Sequence, residues 1–166
     1  MSQEISCVEL KAAEWERLRE IRLAALLESP QAFGGKYEDE KLFDEARWFI
    51  EFNKQSFLVS SINGSDAAML FVENLAGDFG ATCWIGGCWS DPKYRGSGLM
   101  RAMFAYIDNN AIKRDWQVQG LGVWQDNYSA IAAYEKLGFV SMGDPQPSSR
   151  QPGKFYQRMI RKTLEN

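Results

Sequence analysis

The sequence predicts an α/β fold built on a mixed, centrally parallel sheet, and three observations carry that prediction. Apolar runs alternate with segments of helical periodicity from residue 81 to residue 142, the pattern of a βαβαβ unit. Just upstream, Asn63-Gly64 separates two short apolar runs, the strongest short-range hairpin signal. The chain of 166 residues is 45% hydrophobic and 13% aromatic, the size of one domain that buries about 70% of its unfolded surface. No linker or repeat divides it, so residues 1–166 read as a single domain.

The elements follow in order. Residues 5–10 form a first strand, and residues 11–27 carry Trp15, Leu18, Ile21 and Leu26 at helical spacing until Pro30 stops them. Residues 29–35 (Ser-Pro-Gln-Ala-Phe-Gly-Gly) are a loop by composition. A second helix is expected over 38–53, with Leu42, Ala46, Phe49 and Ile50 on its apolar face. Strands at 56–62 and 67–73 flank the Asn-Gly turn, and 81–89 is the next strand. Gly86-Gly87 inside that strand has two readings: a bulged or splayed backbone, or relief of close packing against bulky neighbours. Residues 98–114 space Leu99, Met103, Tyr106, Ile107 and Ala111 as a helix, and 118–124 is a strand. Residues 127–137 place Ala130, Ile131, Ala133, Tyr134 and Leu137 towards the core, closed by Gly138. Strands at 139–142 and 155–160 end the chain, with a proline-bearing loop at 144–153 between them. This makes about seven strands and about four helices.

Composition excludes several functions. A net charge of −3 and a pI near 5.1 argue against a nucleic-acid partner. No basic leader precedes an apolar stretch and no run is long enough to span a bilayer, so no membrane partner and a cytoplasmic location are expected. Cys7, Cys83 and Cys88 read as free thiols. The absence of histidine removes Ser–His and Cys–His nucleophiles, a His base and His-ligated zinc together, so no metal site is expected. Acid–base chemistry must then use Tyr, Asp, Glu, Lys, Cys or water.

Residues 88–101 read Cys-Trp-Ser-Asp-Pro-Lys-Tyr-Arg-Gly-Ser-Gly-Leu-Met-Arg: a strand end, a turn with two glycines and a helix start. The unpaired N–H groups and positive dipole end of such a helix attract anions. Gly96 and Gly98 let backbone approach a phosphate, and Lys93, Arg95 and Arg101 make the local field positive against Asp91 alone. The loop is neither a P-loop, since no Gly-Lys-Ser/Thr follows, nor a three-glycine dinucleotide fingerprint.

Arg95-x-x-Gly98-x-Met100 resembles the Arg/Gln-x-x-Gly-x-Gly/Ala acetyl-CoA loop of the GNAT superfamily of N-acetyltransferases. Asn127-x-x-Ala130-x-x-x-Tyr134-x-x-Leu137-Gly138-Phe139 resembles the next motif of that superfamily, and the likeness extends more loosely over almost the whole chain. The less specific Ser29-Pro30-x-Ala32-Phe33-Gly34 resembles a loop of one bacterial group. The resemblance implies the topology and the roles. Backbone of Arg95, Gly96, Ser97, Gly98, Leu99, Met100 and Arg101 would grip the pyrophosphate of acetyl-CoA. Main-chain groups of Cys88, Trp89 and Ser90 would pair with the pantetheine arm and polarise the acetyl carbonyl. The strand 81–89 would splay from its parallel neighbour to admit that arm. Asn127 would contact the cofactor, and Tyr134 would touch it and protonate the departing thiolate, a task suited to a phenol of pKa near 10.

Alternatives stand beside these roles. Tyr134 also fits a core aromatic, and Asn127 also fits a helix cap. Cys88 has no base to make it a nucleophile, so direct transfer is favoured. Two departures matter: Met100 replaces the usual small residue, and the strand 81–89 carries no carboxylate to act as base, which leaves a water relay through backbone carbonyls or a carboxylate from the N-terminal helices to deprotonate the amine. The implied function is acetyl-CoA-dependent transfer to a primary amine of a small molecule or an exposed peptide amine, by a monomer or homodimer. The alternative is a non-catalytic acyl-CoA-binding sensor or regulatory module. Residues 36–51 hold Glu38, Asp39, Glu40, Asp44, Glu45 and Glu51 against Lys36, Lys41 and Arg47. The resemblance implies that this region borders the acceptor entrance, where an acidic rim would draw a cationic amine and put a polyamine-like acceptor marginally ahead of a zwitterionic one. Arg150, Lys154, Arg158, Arg161 and Lys162 weigh the other way.

Overall fold

The computed structural model describes residues 3–163. Its elements are β1 (Ile5–Glu9), α1 (Trp15–Glu28), α2 (Tyr37–Glu40), α3 (Glu45–Lys54), β2 (Ser56–Ile62), β3 (Ser65–Glu73), β4 (Cys83–Ser90), α4 (Leu99–Arg114), β5 (Val118–Trp124), α5 (Tyr128–Lys136), β6 (Val140–Pro147) and β7 (Phe155–Lys162). The strands hydrogen-bond in the order β1-β2-β3-β4-β5-β7-β6, and β4–β5 is the parallel pair. This is the mixed α/β fold the sequence predicts. The chain forms two compact units, the first running to Glu73 and taking in Gly87–Tyr106, the second Asn74–Gly86 and the residues from Ile107 onward. Both β4 and α4 contribute residues to each unit.

In the first unit, β1 and β3 pair antiparallel with β2. Asn63 (φ 49°) and Gly64 (φ 84°) are both left-handed, as a two-residue turn matched to strand twist requires. Helix α1 buries Leu18, Ile21, Leu23, Ala25 and Leu26 in a core with Trp48, Phe57, Val59, Met69 and Trp89. Each buried Leu or Ile among them contributes roughly 1.5–3 kcal/mol of transfer free energy.

The helix expected over 38–53 is broken. Asp44 Oδ1 accepts from the Arg47 N–H at 2.9 Å and starts α3 afresh. Phe43 stands just before that cap and packs edge-on against Trp48, with ring centroids 5.4 Å apart. This cap and staple turn the helix so that Trp48, not the expected face, is buried. Leu42, Ala46, Phe49 and Ile50 are exposed, Leu42 at 77%.

In the second unit, the parallel pairing of β4 with β5 is carried by Cys83–Gln119 and Trp84–Gly120. The other edge of β5 is taken by β7, antiparallel along its full length from Val118–Lys162 to Trp124–Tyr156. The strand expected at 139–142 therefore does not continue the parallel series. It is β6, which pairs antiparallel with β7 and extends to Pro147, into the stretch expected as loop. As the last strand in the order, β6 tolerates Pro145 and Pro147. Trp116, Ile107, Leu121, Val123, Phe139 and Met159 are buried.

Candidate active site

The loop after β4 is tied down at both ends. The buried Trp89 donates from Nε1 to Glu28 Oε1 at 3.0 Å, and the Asp91 N–H reaches the Ala67 carbonyl at 2.7 Å. Asp91 Oδ1 then accepts from the Lys93 N–H, opening a short turn at Pro92–Tyr94. Gly96 (φ 83°) and Gly98 (φ 96°) take left-handed conformations that favour glycine. A Cβ on Gly96 would meet nothing within 4 Å, and one on Gly98 would meet only Ile5 Cδ1, at 3.7 Å.

Helix α4 starts where the Ala102 N–H reaches the Gly98 carbonyl. The buried Ser60 hydroxyl pins its first turn by donating to the Leu99 carbonyl at 2.8 Å. Among the described residues, the N–H groups of Leu99, Met100 and Arg101 find no partner. Lys93, Arg95 and Arg101 are exposed, while Cys88, Ser90, Ser97 and Met100 are half-buried. An open bend, unpaired amides and cations suit a pyrophosphate, and no atom of Met100 lies within 4 Å of the place a Cβ would take on Gly96 or Gly98.

Glu28 is a hub that no motif marks. One of its oxygens, Oε1, accepts from Ser29 Oγ, Trp89 Nε1 and Arg95 Nη2 at 2.8, 3.0 and 3.1 Å. The Ser29 and Trp89 hydrogen bonds, with the Arg95 charge, hold its carboxyl below the usual carboxylate range. Gly87, just upstream, is left-handed (φ 62°), and a Cβ there would stand 3.0 Å from the Phe71 ring. Backbone conformation and close packing both require that glycine. Burial raises the Cys7 thiol to about 11 and the Cys83 thiol to about 12, so neither is a ready nucleophile.

Asn127 and Tyr134 lie together on the second unit's α5. Asn127 is the N-cap, its Oδ1 accepting from the Ala130 N–H at 3.3 Å. Tyr134 is half-buried and meets Phe139 edge-on, with centroids 5.7 Å apart. No residue of α5 is buried, and Ala133, expected towards the core, is exposed. The helix is seated at its C-terminal end by Arg161, whose Nε donates to the Leu137 carbonyl at 2.8 Å. Arg161 is itself held by a two-point pair with Asp108, both contacts at 2.7 Å. Burial pushes Asp108 up, but the hydrogen bonds from Arg161 and Thr163 outweigh it and leave the carboxyl lowered.

The charge runs are largely spent on structure. Glu38 pairs with Lys41, Glu40 with Arg22, and Glu51 with Arg47, while Asp44 caps α3. Arg158 pairs with Asp78, and Lys154 lies over the Trp124 ring. Among the described residues, no cluster of metal-ligating side chains occurs and no helix is long and apolar enough to cross a membrane.

The model of the acetyltransferase (GNAT) family matches residues 15–139. The chain belongs to that family. Solved structures agree on the GNAT fold. A GNAT-family acetyltransferase from Streptococcus pneumoniae superposes with a TM-score of 0.75 at 16% identity, covering 97% of this chain and 100% of that one. The yncA structure from Salmonella typhimurium, which holds its cofactor acetyl-CoA, gives 0.71 at 18% identity, covering 98% and 95%. The spermidine N-acetyltransferase from Vibrio cholerae, in complex with CoA and spermine, gives 0.69 at 12% identity, covering 96% and 95%. No curated protein matches the chain in sequence.

Proposed function

We propose that this GNAT protein is an acetyl-CoA-dependent N-acetyltransferase that moves acetyl directly from the thioester to a primary amine of a small molecule or an exposed peptide amine. The observation that carries the proposal is the open left-handed bend at Gly96 and Gly98, which leads into unpaired amides of α4. Family membership and a structural neighbour solved with acetyl-CoA support the same cofactor.

Acetyl-CoA supplies the acyl carbon: a C–N bond forms, the C–S bond breaks, the amine nitrogen gives up a proton and the departing thiolate gains one. Arg95, Gly96, Ser97, Gly98, Leu99, Met100 and Arg101 hold the pyrophosphate through main-chain amides and positive field. Main-chain groups of Cys88, Trp89 and Ser90 orient the pantetheine arm and stabilise charge on the carbonyl oxygen. Asn127 caps α5 and contacts the cofactor. The Tyr134 hydroxyl gives its proton to the thiolate and is refilled from solvent.

Strand β4 (CWIGGCWS) has no carboxylate, and Glu28, with three donors on one oxygen, is a poor base. Solvent therefore takes the amine's proton, and turnover rises with pH towards the pKa of the acceptor amine. No metal enters the scheme. Three free thiols suit the reducing cytoplasm.

The test is cofactor binding by thermal shift. Acetyl-CoA at about 100 times its Kd stabilises the protein by about 2.7 kcal/mol, which raises Tm by roughly 5–10 °C. Gly98→Glu and Ser97→Glu, which put negative charge into the bend, abolish the rise. Ser97→Glu needs no left-handed side chain, so it separates charge from backbone strain. An undiminished rise in both variants overturns the loop as the pyrophosphate site. A retained shift with no CoA release from any amine identifies a binding module in place of an enzyme.

A further inference from the structure

The first unit holds an ion pair that neither motif uses. Arg22, on α1, donates from Nε and Nη2 to the two carboxylate oxygens of Glu40 at 2.9 and 3.1 Å. Only 15% and 12% of the two side chains are exposed. The 29–35 loop is shaped around the pair. Gly35 lies where a Cβ would collide with Glu40 Oε2 and stand 3.0 Å from Arg22 Nη2. The Phe33 ring covers the guanidinium, 5.1 Å from Cζ to centroid. A guanidinium clamped by a two-point carboxylate and an aromatic face has one orientation and loses little freedom in making a further bond.

Its remaining edge faces β4. Nη1 stands 3.5 Å from the place a Cβ would take on Gly87, the residue before Cys88, and the Phe71 ring flanks the same place. Among the described residues Nη1 has no hydrogen-bond partner, because the bonds of Arg22 run through Nε and Nη2. Nor is it sealed off: among the described residues, the partnerless side-chain polar atoms closed to solvent are Trp48 Nε1, Gln117 Oε1 and Arg158 Nε. Two charged N–H donors are thus unspent and reachable beside the strand end where transfer is proposed to occur.

We infer that Arg22 binds a carboxylate of the acceptor through Nη1, so that the amine this protein acetylates is an amino-acid-like zwitterion in preference to a polyamine. The inference rests on the transferase reading, which brings the reacting carbonyl to the main chain of Cys88, Trp89 and Ser90. Glu40 is a positioning residue that holds the guanidinium edge towards Gly87. The carboxylate takes no part in bond making. The acids that would hold a second ammonium are depleted: Glu38, Glu40, Asp44 and Glu51 are engaged, which leaves Asp39 and Glu45 of the six in residues 36–51.

The experiment compares CoA release from L-phenylalanine with phenethylamine, L-leucine with isoamylamine, and both pairs with spermidine. A charge-assisted bond predicts a preference of roughly 10-fold or more in kcat/KM for the carboxylate-bearing member of each pair. Arg22→Gln erases that preference by raising KM for the amino acids alone, and Arg22→Lys, which keeps the charge and loses the fork, restores part of it. The acetyl-CoA thermal shift is the same in all three proteins. Preference of the unmodified protein for spermidine or carboxylate-free amines overturns the inference, as does an Arg22→Gln loss shared equally by all acceptors. If acetyl-CoA binds and no amine turns over, the transferase reading fails and the site is judged by side-chain NMR. An Arg22 Nε–H resonance moved by L-phenylalanine and not by phenethylamine keeps the carboxylate site, and no movement by either removes it.

Discussion

The stretch at residues 88–101 and helix α5 carry the two motifs of the chain and are held in opposite ways. The first is anchored from below by the buried side chains of Trp89 and Leu99, by the Ser60 bond to the Leu99 carbonyl and by the Glu28 hub. The second buries no side chain. It is fixed at its ends by the Asn127 cap, by the Tyr134–Phe139 contact and by Arg161 on the Leu137 carbonyl. Amides that stabilise an anion act best when set before the ligand arrives, because then no reorganisation is spent at binding. A proton donor has to meet a leaving group only once per turnover and tolerates a more lightly packed seat. Elements with few buried contacts are also the ones that open first.

The sharpest way to break this contrast is at Tyr134. Tyr134→Phe keeps the ring and its edge contact with Phe139 and deletes only the hydroxyl. Turnover falls by about 10²–10⁴ while the acetyl-CoA thermal shift is unchanged. Near-normal turnover returns Tyr134 to packing and makes solvent the proton source.

Asn127 tests the seat itself. Asn127→Ala removes the cap of α5 and costs about 1 kcal/mol, which lowers Tm by about 2–4 °C. Amide hydrogen exchange speeds up across Tyr128–Lys136, whereas the amides of α4 keep their protection. Equal loss in both helices would mean that α5 opens only with the whole fold, and the contrast would fail.

The two motifs were legible because each is local. A glycine that must be left-handed and a cap that must accept an amide are written in consecutive residues. Gly96, Gly98, Asn127 and the Asn63-Gly64 turn all take the conformations their sequence demands. The hubs were not legible because their partners lie far apart in sequence. Arg22 with Glu40, Arg95 with Glu28, and Arg161 with Asp108 are separated by 18, 67 and 53 residues, and nothing local marks either member. The α2–α3 break is written locally but competes with a second local signal. Asp44 is a good N-cap with Phe43 and Trp48 in staple positions, but the run Leu42, Ala46, Phe49, Ile50 satisfies helical periodicity equally well. Periodicity alone puts the wrong face inside, because the Asp44 cap restarts the helix with Trp48 buried. The position of β7 beside β5 was illegible for a further reason. That pairing joins residues far apart in sequence, from Val118 with Lys162 to Trp124 with Tyr156, and nothing local marks which of two eight-residue strands takes the edge.

The smallest effect sharpens the contrast from the side of the first motif. Glu28 places one negative charge 3.1 Å from Arg95, at the edge of the proposed pyrophosphate loop. Glu28→Gln removes that charge, and the buried Trp89 and the Ser60 bond still hold the loop. The net result is a more positive loop of the same shape. Acetyl-CoA binds about 2–3-fold more tightly at low ionic strength, and the gain disappears at about 0.5 M salt, where such fields are screened within a few ångströms. Protonating Glu28 in the unmodified protein does the same thing. Its carboxyl is lowered in the folded state, so its contribution to stability is full above the unfolded pKa near 4.3 and is lost as pH falls through the lower folded value. With a third of the side chain in solvent, screening limits that loss to a drop of about 2 °C or less in Tm below roughly pH 4, and the drop is absent in Glu28→Gln. Weaker binding by Glu28→Gln at every salt concentration would show that the carboxylate orders the loop, and the first motif would then depend on a single exposed hub much as α5 depends on its ends.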